Sequence, residues 1–180
     1  MKYPLVKDFM IPVDECPKVK RSASIYEAMQ ALKAEHEKHP SEKPEFRVIL
    51  VLDDKDRVVG KVGHIAFLKG LMPKGKDVFD QDKLSRDQLS SSFINLITKD
   101  FNLWDENFQL CQIAKNTTIS EIMHPTEEHI EADASLAEAI YKILTWQHIS
   151  LLVTEGRKVV GILRLSDIYA KAEGFILNCD

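Results

Sequence analysis

Arg164, Ser166 and Asp167 stand within four positions of one another, directly after the apolar run Val159-Val160-Gly161-Ile162-Leu163. A guanidinium grips phosphate oxygens through two parallel hydrogen bonds, and a carboxylate accepts two hydroxyl donors. The trio therefore has the chemistry to hold a phosphate and a sugar. A structural use is equally open. Asp and Ser near a helix start satisfy free N–H groups, and Arg164 can form a surface ion pair worth about 0–1 kcal/mol. The same pattern occurs earlier as Val58-Val59-Gly60-Lys61-Val62-Gly63-His64-Ile65-Ala66, but there Gly63 and Ala66 stand where Arg164 and Asp167 stand in the later copy. One ligand cleft, or none, is expected rather than two equal ones.

Other chemistry is sparse. His36 and His39 lie three apart beside Glu35, but this is neither a His-Glu-x-x-His motif nor a set of three spaced ligands, so no metal site is expected. His124 and His148 read as structural or interfacial residues. Cys111, between Leu110 and Ile113, reads as a small buried hydrophobe. Trp104, Tyr141 and Trp146 read as core or interface packing rather than stacking on a cofactor. No Gly-x-x-x-x-Gly-Lys-Ser/Thr run and no nucleophile motif occurs, so an enzyme is not expected.

The elements that position these residues also come in pairs. Val6-Lys7-Asp8-Phe9-Met10-Ile11-Pro12 is matched 113 positions later by Ile119-Ser120-Glu121-Ile122-Met123-His124-Pro125. Ser24-Ile25-Tyr26-Glu27-Ala28-Met29 is matched 111 positions later by Ser135-Leu136-Ala137-Glu138-Ala139-Ile140. Val48 to Gly60 matches Ile149 to Gly161 at an offset of 101, leaving a polar insertion around Glu37 to Glu45 in the first unit. Its two prolines, Pro40 and Pro44, forbid a continuous helix there. Ser24 with Glu27, and Ser135 with Glu138, have capping-box spacing. Behind them Ile25, Met29 and Leu32 share one helical face, as do Leu136, Ile140 and Ile143 or Leu144. Val48 to Leu52 and Val58 to Val62 read as a hairpin, and Ile149 to Val153 with Val159 to Leu163 as its copy, turning at Gly156. Helices are expected from near Ser166 and over Ile65 to Leu71. Each unit is then strand, helix, strand, strand, helix. Neither unit can cover both faces of its sheet, so the two must pair.

The expected division is unit one over 1–72, a largely helical insertion over 73–117, unit two over 118–173 and a tail over 174–180. The insertion holds Leu89, Phe93, Leu96, Phe101, Leu103, Trp104 and Phe108, which should be buried in this chain or against another. Hydrophobic residues make up 44% of the sequence, which fits a globular protein. A net charge of −4 argues against a nucleic-acid surface. Three cysteines without paired spacing fit a reducing, cytoplasmic setting. No signal peptide and no membrane span are expected.

The ordered double pattern resembles the CBS-domain pair, or Bateman module. The resemblance rests on Met-x-Pro, the Ser-(Ile/Leu)-x-Glu-Ala helix start, the hairpin ending Val-Val-Gly, and the terminal Asp167. It implies an α/β (α+β) fold of tandem units related by pseudo-twofold symmetry, and a regulatory, non-catalytic, standalone module that signals to an effector protein. It further implies AMP, ADP, ATP or S-adenosylmethionine as candidate regulatory ligands, with no cofactor required, and a homodimer. Carried over residue by residue, Asp167 takes the ribose position and Arg164 stands where a hydroxyl residue is usual. Ser166 completes the polar end, the backbone around Glu128 to Ala132 meets an adenine edge, and Ile130, Ile149 and Leu151 supply apolar walls. The alternative is a ligand-free interaction or scaffold module of the same fold.

Overall fold

Ser24 begins helix α1 (Ile25–Lys38) by a reciprocal cap: its N–H donates to Glu27 Oε2 at 2.7 Å, and the Glu27 N–H donates to Ser24 Oγ at 3.2 Å. Helix α4 (Leu136–Trp146) keeps only half of that device. The Glu138 N–H donates to Ser135 Oγ at 3.2 Å, while the Glu138 carboxylate pairs with Lys142 at 3.0 Å. These helices belong to a computed structural model that describes residues 4–38, 47–72 and 110–178. The remaining elements are β1 (Ile11–Pro12), β2 (Lys18–Lys20), β3 (Val48–Leu52), β4 (Val58–Gly63), α2 (His64–Gly70), α3 (Leu110–Asn116), β5 (His124–Pro125), β6 (His129–Glu131), β7 (Ser150–Glu155), β8 (Lys158–Arg164) and α5 (Leu165–Ile176).

The strands form two sheets of four, in the orders β2-β3-β4-β5 and β1-β8-β7-β6. Each sheet takes its last strand from the opposite half of the chain. β1 pairs with β8 through Ile11↔Ile162, and β5 pairs with β4 through Lys61↔His124. The segments before these strands cross over as well. The Val6 N–H donates to Ala134 O, and the Ile119 N–H donates to Ala23 O. The crossing explains the repeated glycine. A Cβ on Gly161 would lie 2.5 Å from Ile11 O, and one on Gly60 would lie 2.5 Å from His124 O. Only a residue without a side chain lets these backbones approach.

Pairing also corrects the alignment of the two units. β2 pairs in parallel with β3 through Lys18↔Leu50, and β6 with β7 through His129↔Leu152. Leu50 is therefore the counterpart of Leu152, an offset of 102 rather than 101. The bulges agree, falling after Val51 in one hairpin and after Val153 in the other. The cause is the turn. Unit one turns through Asp53, whose carboxylate accepts from the N–H groups of Lys55 and Arg57 at 2.9 Å each. Unit two turns more tightly, with Gly156 at φ 61°. On this register Arg47 corresponds to Ile149, and Val48 to Ser150.

Alternation along the strands divides the core. Leu151, Val153 and Leu163 pack with Ala139 and Ile143 of α4 and Ile168 of α5, whereas Leu152 and Ile162 join the core of the first unit. Burying each such aliphatic side chain contributes roughly 1.5–3 kcal/mol relative to exposure. The two sheets thus cover one another, as units with too few helices must. On α1 the buried face is Ile25, Ala28 and Leu32, and Met29 sits at its rim. On α4 Ile143 is buried and Leu144 points outward. Cys111 is exposed, contrary to expectation, because α3 presents Ala114 to the core and turns Cys111 away. Tyr141 is likewise exposed, and Trp146 packs at the edge of the second core. The expectations for 39–46 and 73–109, including Trp104, lie outside the described residues. Among the described residues, no helix is long and apolar enough to cross a membrane.

Candidate functional site

At the end of β8 the backbone stays extended through Arg164, which is the N-cap of α5. The Asp167 carboxylate performs two tasks there. Its Oδ2 accepts from the Arg164 N–H at 3.2 Å and from Nε at 2.8 Å, and its Oδ1 accepts from Nη2 at 2.6 Å. The two side chains are 13% and 16% exposed. This is a bidentate, mostly desolvated ion pair, stronger and more directional than the surface pair that sequence considerations allowed.

Beside this pair opens a cavity of about 540 Å3. Arg164, Leu165, Ser166 and Tyr169 form one wall at the start of α5. Arg47 and Val48, leading into β3, face Ile149 and Ser150, leading into β7. Those pairs are counterparts in the two units, so both halves of the chain contribute to the cavity.

Three expected site residues, Arg164, Ser166 and Ile149, therefore meet in one cavity. Asp167 lies behind them, turned toward Arg164. Ile130 and Leu151 do not reach it. Both are fully buried in the second core, because their faces of β6 and β7 are covered by α4 and α5. β6 is an edge strand, so one side of its backbone lacks a neighbouring strand within the sheet.

Sequence considerations missed Arg47 and Tyr169 in the lining. They also missed Lys61, which is only 4% exposed. Its ammonium reaches across from β4 and donates to Ser150 O at 2.6 Å and Ser150 Oγ at 3.3 Å. Burial pulls the Lys61 pKa down from 10.5 to about 8, against a smaller opposing pull from the Glu128 carboxylate. Ser150 thus touches the cavity on one side and a buried lysine of the other unit on the other. The available signal was the replacement of Ile162 by Lys61 in otherwise matching Val-Val-Gly strands.

The model of the CBS domain matches residues 119–174. No curated protein sequence matches the chain. Among solved structures, the CBS-pair protein CBSX2 from Arabidopsis thaliana is 19% identical, with a TM-score of 0.61 over 99% of this chain and 100% of that one. CBSX2 in complex with AMP is 20% identical, with a TM-score of 0.60 over 97% and 99% of the two chains. The cytosolic domain of the Mg2+ channel MgtE in complex with ATP is 16% identical, with a TM-score of 0.56 over 93% of this chain and 49% of that one. Residues 119–174 are thus similar to the CBS domain, and the chain shares the fold of these CBS-pair structures.

Proposed function

We propose that this chain is a non-catalytic regulatory module that takes an adenosine nucleotide in the cavity beside α5 and passes the change to a partner protein. The carrying observation is a cavity of about 540 Å3 with an arginine from each unit in its lining. Ligand pockets span roughly 300–1,000 Å3, are mostly apolar, and hold a few converging polar groups. The phosphate is assigned to Arg47, Arg164 and the Ser166 hydroxyl. The base rests on Ile149 and Tyr169. The ribose takes an oxygen of Asp167 once the ion pair with Arg164 rearranges. Arg47 enters β3 and Arg164 leaves β8, so a phosphate on both favours one relative placement of the units. That differential contact is what lets a ligand shift a conformational equilibrium. The AMP complex of CBSX2 and the ATP complex of MgtE support this reading.

Calorimetric titration with AMP, ADP, ATP and S-adenosylmethionine tests it. Saturable binding to a phosphorylated ligand, weaker for adenosine, is expected. Arg164→Ala should cost about 1–3 kcal/mol of binding free energy, the range for a hydrogen bond to a charged group. Equal affinity for adenosine and AMP removes Arg164 from the site.

A second reading, a ligand-free interaction module, is favoured by the Arg164–Asp167 pair, in which each charge already satisfies the other. It expects no saturable binding of any of the four ligands, and a protein partner that binds regardless of them.

We further propose a homodimer. Tyr141, Leu144 and Tyr169 on α4 and α5 are 69%, 66% and 64% exposed, apolar area that a second copy would cover. Light scattering should report about twice the 20.5 kDa chain mass; a monomer throughout the micromolar range refutes the assembly. The division into 1–72, 73–117 and 118–173 is part of the same reading, and the odd cysteine count supports a cytoplasmic setting.

A further inference from the structure

We propose that His124, Glu128 and His148 form a binding site for a first-row transition-metal cation, with Zn2+ as the expected occupant. One donor atom from each residue lies within 4.8 Å of the other two. The three come from separate parts of the fold. His124 is in β5 and so belongs to the sheet of unit one, whereas Glu128 leads into β6 and His148 leads toward β7 of the other sheet. The His148 ring is hydrogen-bonded to the Glu128 carboxylate through Nε2, and the His124 ring meets it edge-on at a centroid distance of 5.2 Å. The turn carrying Glu128 is fixed by His129, whose Nδ1 donates to Thr126 O at 3.0 Å.

The fold itself does not require these polar residues. By strand register, the counterparts of His124 and Lys61 are Ile11 and Ile162, and the counterpart of Glu128 is Pro17. The other half of the molecule builds the same corner from apolar side chains. Placing two imidazoles, a carboxylate and an ammonium there costs desolvation that a purely structural corner avoids.

The donor set is that of zinc and its neighbours in the periodic table. Imidazole suits Zn2+, Cu2+ and Ni2+, whereas Mg2+ and Ca2+ prefer all-oxygen shells. Two histidines and one glutamate leave a fourth position for water. Metal–ligand bonds of about 2.0–2.1 Å place tetrahedral donors roughly 3.3 Å apart, so donors within 4.8 Å of one another need close by no more than roughly 1.5 Å. Such closure draws β5 toward the loops before β6 and β7. Lys61 and Lys69 oppose a cation here and Glu128 favours it.

The test uses the full chain without an affinity tag. Competition against a chromophoric chelator should show one Zn2+ per chain, with Mg2+ unable to displace it. Co2+ in the same site should give the visible bands of a tetrahedral complex without a thiolate charge-transfer band, which separates this site from chance binding at cysteines. Glu128→Gln and His148→Gln should each weaken Zn2+ at least about tenfold, and His36→Gln should leave it unchanged. Circular dichroism verifies the fold of each variant. If a histidine variant misfolds, Glu128→Gln decides alone, since the Glu128 side chain is 42% exposed. Absence of stoichiometric binding, a thiolate band, or unchanged affinity in Glu128→Gln overturns the proposal.

Discussion

Replacing Lys61 by methionine should reverse its effect on stability between pH 7 and pH 10.5. Folding moves the Lys61 pKa from 10.5 to about 8, chiefly by burial. Below pH 8 both states hold the proton, and the folded state bears the cost of a desolvated ammonium. Between the two values the folded chain has lost the proton and the unfolded chain still holds it, so stability rises with pH. The rise is about 1.4 kcal/mol per pH unit, or about 3 kcal/mol across the window. Methionine removes this cost but leaves Ser150 O and Oγ without their lysine donor, a loss of about 1–3 kcal/mol. At pH 7 the variant should thus lie between equal to the parent and about 2 kcal/mol more stable. At pH 10.5, where the parent lysine is neutral, the variant should be about 1–3 kcal/mol less stable. Burial holds the Cys16 thiol up at about 12, which lowers stability as pH rises above 9. Both proteins contain it, so its effect cancels in the difference. Urea unfolding in the presence of a chelator, at half-unit steps from pH 7 to 10.5, measures the two curves. Parallel curves would refute the reasoning, because they would mean that Lys61 titrates alike in the folded and unfolded chains.

Gly161→Ala should lower stability by about 1–3 kcal/mol in thermal melting, since the new methyl meets the backbone oxygen of Ile11. Gly174→Ala, in α5 with no heavy atom within 4 Å of the new methyl, should instead raise stability by about 0.5–1 kcal/mol; a loss there would contradict its open surroundings. Ser135→Ala removes the cap on the Glu138 N–H and should cost about 1 kcal/mol in urea unfolding. Cys111, exposed on α3, should react with a maleimide far faster than Cys16, which is buried with its thiol held protonated. Peptide mass mapping after brief labelling distinguishes the two, and comparable rates would be inconsistent with the buried placement of Cys16.

Local chemistry made much of this architecture legible. Ser24 and Glu27 announced their helix because a cap depends on residues three apart. The hairpins were visible in apolar runs broken by Asp53 and Gly156. What failed was information carried between distant segments. The one-residue difference in alignment arose in the turn, where chain length is free to vary, and it became visible only through the pairing of β2 with β3 and of β6 with β7. Ile130 and Leu151 were expected in the cleft because apolar residues suit both a wall and a core, and only the covering helices distinguish these uses. Arg47 was overlooked because it adjoins a polar insertion read as solvated loop. Lys61 was overlooked because one charge in an apolar strand says nothing about which sheet it will face. His124 and His148 are 24 residues apart and acquire a common neighbour only when the sheets meet.

The exchange of β1 and β5 has a consequence for the order of synthesis. The sheet of the first half has a raw edge at Gly60 and Lys61 until His124 and Pro125 have been made. An uncovered edge strand invites pairing with other chains. β1, made near the start, must wait for Gly161 and Ile162 before it has a partner. The first sheet gains its fourth strand only with residues 124–125, and the second only with residues 161–162. A nascent chain arrested before residue 124 should therefore be cut readily by protease within β3 and β4, whereas a chain released beyond residue 164 should resist there.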